Sequence, residues 1–455
     1  MLTILALAMI VVFIVLLSAK KLSVFAALSL TPFVFGATAA LAGGYGIMDL
    51  FQWIQEGMFF KVNWETQKVS WGVISPALTI MFSILYFDIM LGVGLFDPVA
   101  IFFIRKAKGD PLKVLLSTVM VASVVALNGD TTTTIIICTA AFISLYKQMN
   151  LKLSYLAIVI VAPIGIWNQL PWGGPTIAAA TAQGVEVSDL FRALLPGLLA
   201  AQAAVILVAA YLGKKERRRL GYQPGLRSGI SRENIEEMLK AVRDKDPELK
   251  RPKCFLFNLI LTFAALVLLI QGEIHGSIIF MLGSAIALVV NYRSVDLCTD
   301  RLEDLAPDVL PTVVVTMGAG IFSGVLSGSG MAAALANTIA GLIPTSLSTH
   351  MAPVYAVIAA PAICFLPQDA FYFGIASVIK EVMGQFGITP LQAAVASMVG
   401  QSFRLVSPVI PALYMLCGET KLNFVDFQKE YTKYFGWVVL LVYLAAYGIA
   451  GVLPY

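Results

Sequence analysis

A polar break between two short apolar runs limits what this chain can become. Residues 128–134 read Asn-Gly-Asp-Thr-Thr-Thr-Thr, with an acid at Asp130. The flanking runs, 114–126 and 135–145, are too short to cross a bilayer, which takes about 20 helical residues. Together they predict a helical hairpin that dips into a membrane and returns, its polar tip near mid-depth. Non-helical backbone at that depth is tolerated only where protein buries it or water reaches it. An acid there is costly and marks a functional-site candidate. The competing picture, a soluble loop between two core helices, conflicts with a chain that is 59% hydrophobic and 13% charged, because soluble domains run near a quarter charged.

The fold class expected is an all-α polytopic membrane protein of about ten transmembrane helices plus two opposed re-entrant hairpins. The net charge of +4 sits in loops beside apolar spans and does not point to nucleic acid. Cys138, Cys254, Cys298, Cys364 and Cys417 form no CxxC pair, so neither a disulfide framework nor a zinc site is implied. His275 and His350 fall at loop edges and read as bystanders. The apolar stretch 1–17 lacks the pattern of a cleaved signal and reads as the first span. Residues 45–70 mix Trp53, Phe59, Phe60 and Trp64 with charges, as an interfacial segment does. Span three, 73–104, is expected to break around Asp88, Gly92, Gly94 and Pro98.

The one long polar stretch, 214–253, carries thirteen Lys or Arg against seven Asp or Glu. It reads as a cytoplasmic linker, with Ser231 capping a short helix to Val242. The linker divides a first membrane repeat, 1–213, from a second, 254–455. Placing the basic groups inside makes the first hairpin open to the cytoplasm and the second to the outside, in the plasma membrane, with both termini outside. Three landmarks share nearly one offset. Gly92–Gly94 and Gly328–Gly330 lie 236 apart, Asp130 and Asp369 lie 239 apart, and Gln169 and Gln401 lie 232 apart. Opposed hairpins at a common offset suggest an inverted repeat, the plan of many secondary transporters.

Four polar breaks are then available to meet: hairpin tips at 128–134 and 367–370, and broken helices at 168–176 and 400–408. The substrate-binding candidates on them are Asn128, Gly129, Thr131, Thr132, Asn168, Gly173, Gly174, Thr176, Gln368, Gln401, Ser402, Arg404 and Ser407. Helix starts at Thr131–Thr134 and Gly173–Gly174 attract anions through free N–H groups. Arg404 offers a carboxylate a bidentate grip, or alternatively anchors the topology from the cytoplasmic side. Asp130 and Asp369 suit a hard cation or a proton, with Asp88 a weaker candidate. An intramembrane aspartyl protease is disfavoured, because Tyr86-Phe87-Asp88 and Asn128-Gly129-Asp130 both fail its patterns. A channel leaves the opposed hairpins without a purpose. The chain is not expected to be an enzyme.

At these segments the chain resembles the citrate–metal complex:proton symporters, the CitMHS family of the ion-transporter superfamily. The resemblance rests on Gly129-Asp130-Thr131-Thr132, on Leu170-Pro171-Trp172-Gly173-Gly174-Pro175-Thr176, on Asp369-Ala370-Phe371-Tyr372-Phe373-Gly374, and on Gly400-Gln401 with Ser407-Pro408. It implies uptake of citrate with a divalent metal such as magnesium carried in the substrate, no permanently bound cofactor, and a proton as coupling ion. It also implies a homodimer with scaffold and elevator-type transport domains. The departures from the family pattern at Thr131, Pro367-Gln368 and Ser402-Phe403-Arg404 fall within the expected site. They keep open a sodium-coupled carrier of a free di- or tricarboxylate, a sugar acid or an inorganic oxyanion.

Overall fold

The computed structural model describes residues 1–19, 21–63, 68–107, 110–129, 131–222, 248–343 and 350–454. The expected helix from Ser231, and Trp64 and Asp130, lie outside the described residues. The first half runs α1 (Leu2–Ser18), α2 (Val24–Gly43), α3 (Ile47–Met58), a two-stranded hairpin of β1 (Phe60–Asn63) and β2 (Lys68–Trp71), α4 (Ile74–Gly92), α5 (Asp97–Ala107), α6 (Pro111–Val125), α7 (Thr131–Gln148), α8 (Leu153–Trp167), α9 (Gly174–Gln183) and α10 (Val187–Arg219). The strands are antiparallel, with Phe60 opposite Trp71. The second half runs α11 (Phe255–Gln271), α12 (Gly276–Tyr292), α13 (Val295–Gly328), α14 (Met331–Ala340), α15 (Met351–Phe365), a π-helical turn (Ala370–Ala376) leading into α16 (Ser377–Gln385), α17 (Pro390–Val399), a 3-10 turn (Gly400–Val406), α18 (Pro411–Thr420), α19 (Phe424–Tyr431) and α20 (Trp437–Ile449).

Seven helical stretches among the described residues are long and apolar enough to cross a membrane. The arms of the two hairpin tips, at 128–134 and 367–370, are not among them. α6 and α15 have 15 residues each, about 22 Å at roughly 1.5 Å per residue, short of a hydrocarbon core about 30 Å thick. Local chemistry sets where they start and stop. Asp110 accepts from the Leu112 amide at 3.1 Å ahead of Pro111, a capped start that needs no amide from the proline. α6 then tightens into the turn Ala126–Asn128 and ends on Gly129 at φ +79°, a left-handed conformation that glycine adopts without strain.

The two breaks open toward opposite ends of α10, a 33-residue helix. At its C-terminal end Arg217 Nε donates to Asp110 at 2.7 Å, the Lys152 amide donates to Glu216 at 3.2 Å, and Arg219 donates to the Asn150 carbonyl. Those partners are the two outer ends of the α6–α7 pair. At its N-terminal end Gln183 donates to the Ala376 carbonyl at 2.8 Å, and the Lys380 ammonium lies against Gly184. Those partners belong to the α15–α16 pair. The backbone repeats at a fixed spacing too. Left-handed caps at Gly94, Asn150 and Gly184 recur at Gly330, Gly387 and Lys421, offsets of 236, 237 and 237 residues.

Two packing groups result. α2, α3, α4, α12 and α13 pack on one another; α6 to α10 pack with α15 to α20; and α9 touches both α4 and α13. Glycines seat α3 on α13: a Cβ on Gly57 would fall 2.6 Å from the Gly324 Cα and overlap the Gly320 carbonyl oxygen. The small-residue stripe Gly320–Gly324–Gly328 therefore packs helices within the chain. In the expected interfacial segment α3 buries Leu50 and Trp53, while Tyr45, Phe51, Phe59 and Phe60 stay exposed. The third span breaks within the expected range, at its glycines and not at Asp88. α4 continues through Asp88 to Gly92 and the bend follows at Val93–Phe96, because a single acid inside a helix removes no backbone hydrogen bond, whereas Gly94 at φ +83° ends the run.

His275, expected as a bystander, joins three helix starts. Its Nε2 lies 3.0 Å from Glu186, the N-cap of α10, and Ser75 at the start of α4 donates to the other Glu186 oxygen at 2.7 Å. His275 also stands at the N-cap of α12, its Nδ1 2.7 Å from the Ser277 hydroxyl. Burial works against the Glu186 carboxylate, but hydrogen bonds from His275 and Ser75 and the imidazolium charge hold its pKa below the ordinary value. The hydrogen bond to Glu186 lifts His275 above its ordinary value against the opposing effect of burial. The His275 contribution is present below about pH 6.5, its unfolded value, and is lost as pH rises through the lifted pKa. The Glu186 contribution is present above about pH 4.3 and is lost as pH falls through the depressed pKa. E186Q should therefore lower the melting temperature more at about pH 5.5 than at about pH 9. Equal losses at both pH values in a thermal-shift series would show that the pair carries no titrating charge.

Candidate functional site

All four polar breaks border one cavity of about 240 Å³. Gly129 and Thr131 come from the α6–α7 tip, Asn168, Gly174 and Pro175 from the break between α8 and α9, Gln368 from the α15–α16 tip, and Gln401, Arg404, Leu405 and Ile410 from the break between α17 and α18. Three α-helices begin at its wall, at Thr131, Gly174 and Pro411, and the π-helical turn begins two residues beyond Gln368. Each start leaves backbone N–H groups without an intrahelical acceptor and carries the positive end of a helix dipole.

The breaks are held in place by side chains that cross between them. Asn168 Nδ2 donates to Thr131 Oγ1 at 2.9 Å, joining the first broken helix to the first tip. Trp172 Nε1 donates to the Leu127 carbonyl at 2.7 Å, and its ring stacks on Phe87 of α4 with centroids 3.4 Å apart. In the second half Arg404 Nη1 donates to the carbonyls of Ile363 and Leu366 at 3.0 and 3.1 Å, which close the C-terminal end of α15. Arg404 thus faces the C-terminal end of α15. The two glutamines of the breaks behave alike. Gln169 donates to Tyr443 Oη at 2.9 Å, and Gln401 donates to Tyr372 Oη at 2.8 Å.

Several polar atoms here have no protein partner. Asn168 Oδ1, Thr176 Oγ1 and Ser402 Oγ are buried without a hydrogen bond among the described residues. Buried polar atoms are rarely left so, and each such group asks for water or a ligand. Asp369 lies within electrostatic reach of Arg404 without a hydrogen bond or ion pair among the described residues. No cluster of three or more His, Cys, Asp or Glu residues occurs among the described residues. The donors on the cavity are amides, hydroxyls and one guanidinium.

The other expected residues sit nearby in different roles. Thr132 belongs to the first turn of α7, and Asn128 ends the turn Ala126–Asn128. The Ser407 hydroxyl accepts from the Val409 amide at 3.3 Å, a local turn ahead of Pro411. Gly173 lines no part of the cavity but permits the break, since a Cβ there would overlap the Asn168 carbonyl. Asp88 lies on α4 away from the cavity wall, and its carbonyl accepts from Arg301. The sequence reading missed the aromatic ties Phe87, Trp172 and Tyr443, and the apolar wall of Leu405 and Ile410. Trp172 and Tyr372 stood inside the quoted motifs, and their placement there was the available signal.

The CitMHS family, described as citrate transporter, matches residues 1–400. A citrate transporter of Bacillus subtilis (strain 168) is 35% identical over 449 residues, covering 98% of each chain. A Mg2+/citrate complex secondary transporter of the same organism is 34% identical, covering 97% of this chain and 96% of the relative. Among solved structures, the YdaH transporter of Alcanivorax borkumensis superposes with a TM-score of 0.58 at 11% identity, over 92% of this chain and 98% of that one. MtrF of Neisseria gonorrhoeae superposes at 0.55 and 12% identity, over 82% and 81%. At those identities the likeness speaks for the fold alone.

Two glycines should separate in severity. G129A forces a left-handed residue, a cost of roughly 1–2 kcal/mol, and brings its Cβ only to 3.4 Å from Trp172 Cδ1. G173A meets backbone that cannot turn away, so it should lose folded protein on size exclusion while G129A folds with a lowered melting temperature. The reverse order would show that the break is not built on the Asn168–Gly173 contact. The motif match, the end-to-end relatives and the convergent breaks together place the chain in the CitMHS family of citrate transporters, a multi-pass membrane transport protein and not an enzyme.

Proposed function

We propose that this chain is a secondary transporter that carries citrate, complexed with a divalent metal such as Mg2+, across the plasma membrane, coupled to protons. The observation that carries this reading is the meeting of four helix-turn starts and Arg404 on one cavity. Such starts favour anions, and a guanidinium matches a carboxylate. The protein supplies amide and hydroxyl oxygens and Asp369, a donor set suited to a hard cation already wrapped in the carboxylates of its substrate. The metal is cargo in this reading. Asp369, and Asp130 by its place in the sequence, are the groups that take up the coupling proton.

The short arms opening to opposite ends of α10 support re-entrant hairpins in an inverted repeat, divided as 1–213 and 254–455 about the linker 214–253. About ten spans with both termini outside follow from that plan and from the positive-inside rule. The packing groups support an elevator arrangement in a homodimer: α2, α3, α4, α12 and α13 as scaffold, and the group around α10 as the moving domain. One observation favours a second reading. Arg404 brings a fixed positive charge that stands in for a metal, which fits a metal-free carboxylate coupled to sodium.

Labelled-citrate uptake into proteoliposomes under an inward proton gradient tests both. Uptake that needs Mg2+, stops with chelator and ignores sodium is the expected result. R404M and D369N should each reduce it by at least about tenfold, the loss expected when a charge-assisted contact is removed. Uptake that persists in chelator and follows sodium would replace the first reading with the second. Unchanged uptake in both variants would remove the cavity from the transport path.

A further inference from the structure

A second cavity, of about 270 Å³, lies at the end of the molecule where α4 and α10 start. One wall is the end of α9 with Lys380 of α16. The other wall is α3, the start of α4 and the C-terminal half of α13. Unlike the central cavity, it is bordered by several charges; most are paired, and Lys380 has only the charge of its neighbour Glu381 acting on it, without an ion pair among the described residues. Lys61 pairs with Glu56 at 3.2 Å. Glu186 spends one oxygen on Ser75 and the other on His275. Lys380 makes no ion pair and no hydrogen bond among the described residues. Its ammonium lies against Gly184, the left-handed cap of α9.

Thr181 stands one turn before Gly184 on the same helix end and borders the same cavity. It is 4% exposed, and its hydroxyl has no partner among the described residues. Several buried threonines satisfy themselves on their own helix, whereas Thr31, Thr176 and Thr181 find no partner among the described residues. Thr118, Thr139 and Thr420 each donate to the carbonyl four residues back. Thr181 does not, and of the three unpartnered threonines it alone borders this cavity. A cation near a helix C-terminus is stabilised by the dipole, which accounts for Lys380 alone but not for a buried hydroxyl beside it.

We propose that this chamber is a second binding site, distinct from the central cavity, for a small carboxylate anion. Lys380 supplies the charge and Thr181 a hydrogen-bond donor. A lysine is a point charge without the planar fork of an arginine, so one carboxylate group of a small molecule suits it. Because the walls belong to the two packing groups, an anion held here bridges them. The chamber is independent of what the central cavity carries.

Citrate binding to the full-length protein in nanodiscs, measured by calorimetry, tests this. Wild type should show a tight and a weak class of site. K380M and T181V should each weaken the second class by about tenfold or more, as loss of a charge-assisted or buried hydrogen bond implies. K380R should keep it, because charge suffices, and R404M should keep it while losing the tight class. Fewer than two classes in wild type, or a weak class unchanged in both K380M and T181V, would overturn the proposal. T181V, nearly isosteric, carries the test if K380M fails to fold. A tight class that survives R404M alongside a Lys380-dependent weak class would count against the central assignment and leave the outer site standing.

Discussion

Broken helices inside an apolar protein in an apolar solvent are the constraint on which the rest of this structure depends. Each break exposes carbonyls at one end and amides at the next, and lipid satisfies neither. The chain answers the carbonyl ends with side chains from the other breaks. Trp172 closes the Leu127 carbonyl, and Arg404 closes those of Ile363 and Leu366. The amide ends are left facing a shared cavity. The same economy of hydrogen bonds that keeps the fold intact therefore produces a place where an anion is welcome.

This division of labour accounts for what was legible in the sequence. Breaks are visible because they interrupt apolar runs with Gly, Pro and hydroxyl residues, and Gly129, Gly173–Gly174 and Gln401 stood out for that reason. Landmarks near one offset suggest a repeat in the sequence, and left-handed caps recur at offsets of 236–237 residues. Such caps are set by backbone dihedrals, which Asn150 and Lys421 adopt as well as glycine, so residue identity alone hid two of the six. The ties were not legible. Nothing in periodicity says that Trp172 stacks on Phe87 or that Gln169 finds Tyr443, because these partners are brought together by packing across long sequence separations. Asp88 misled for the opposite reason. An acid in an apolar run looks like a break, yet a helix tolerates it if its backbone bonds stay intact.

His275 shows the limit from another side. A lone histidine at a loop edge carries no sequence signal, and its importance comes from Glu186 and Ser75 on two other helices. Three helix starts are clasped through one imidazole at the end of the molecule where the second cavity opens. The contact between the two packing groups is thus polar and titratable at Glu186 and His275, while at Phe87 and Trp172 it is aromatic stacking. Polar contacts break at lower cost than packed aromatic ones when water is at hand, so the polar contact is the readier of the two to open.

Arg404 joins these arguments. Its Nη1 is committed to the end of α15, while Nε and Nη2 donate to no described residue. A free arginine side chain gives up rotamer entropy when it grips a ligand. Here that cost has been met by folding, because the carbonyls of the hairpin already fix the guanidinium at the cavity wall. A carboxylate that meets the remaining donors meets a preorganised fork. The fork and the hairpin end share one rigid group, so they cannot move apart without breaking the hydrogen bonds to Ile363 and Leu366. Any ligand held by Arg404 is therefore held against the second hairpin, and the position of that hairpin becomes part of the affinity.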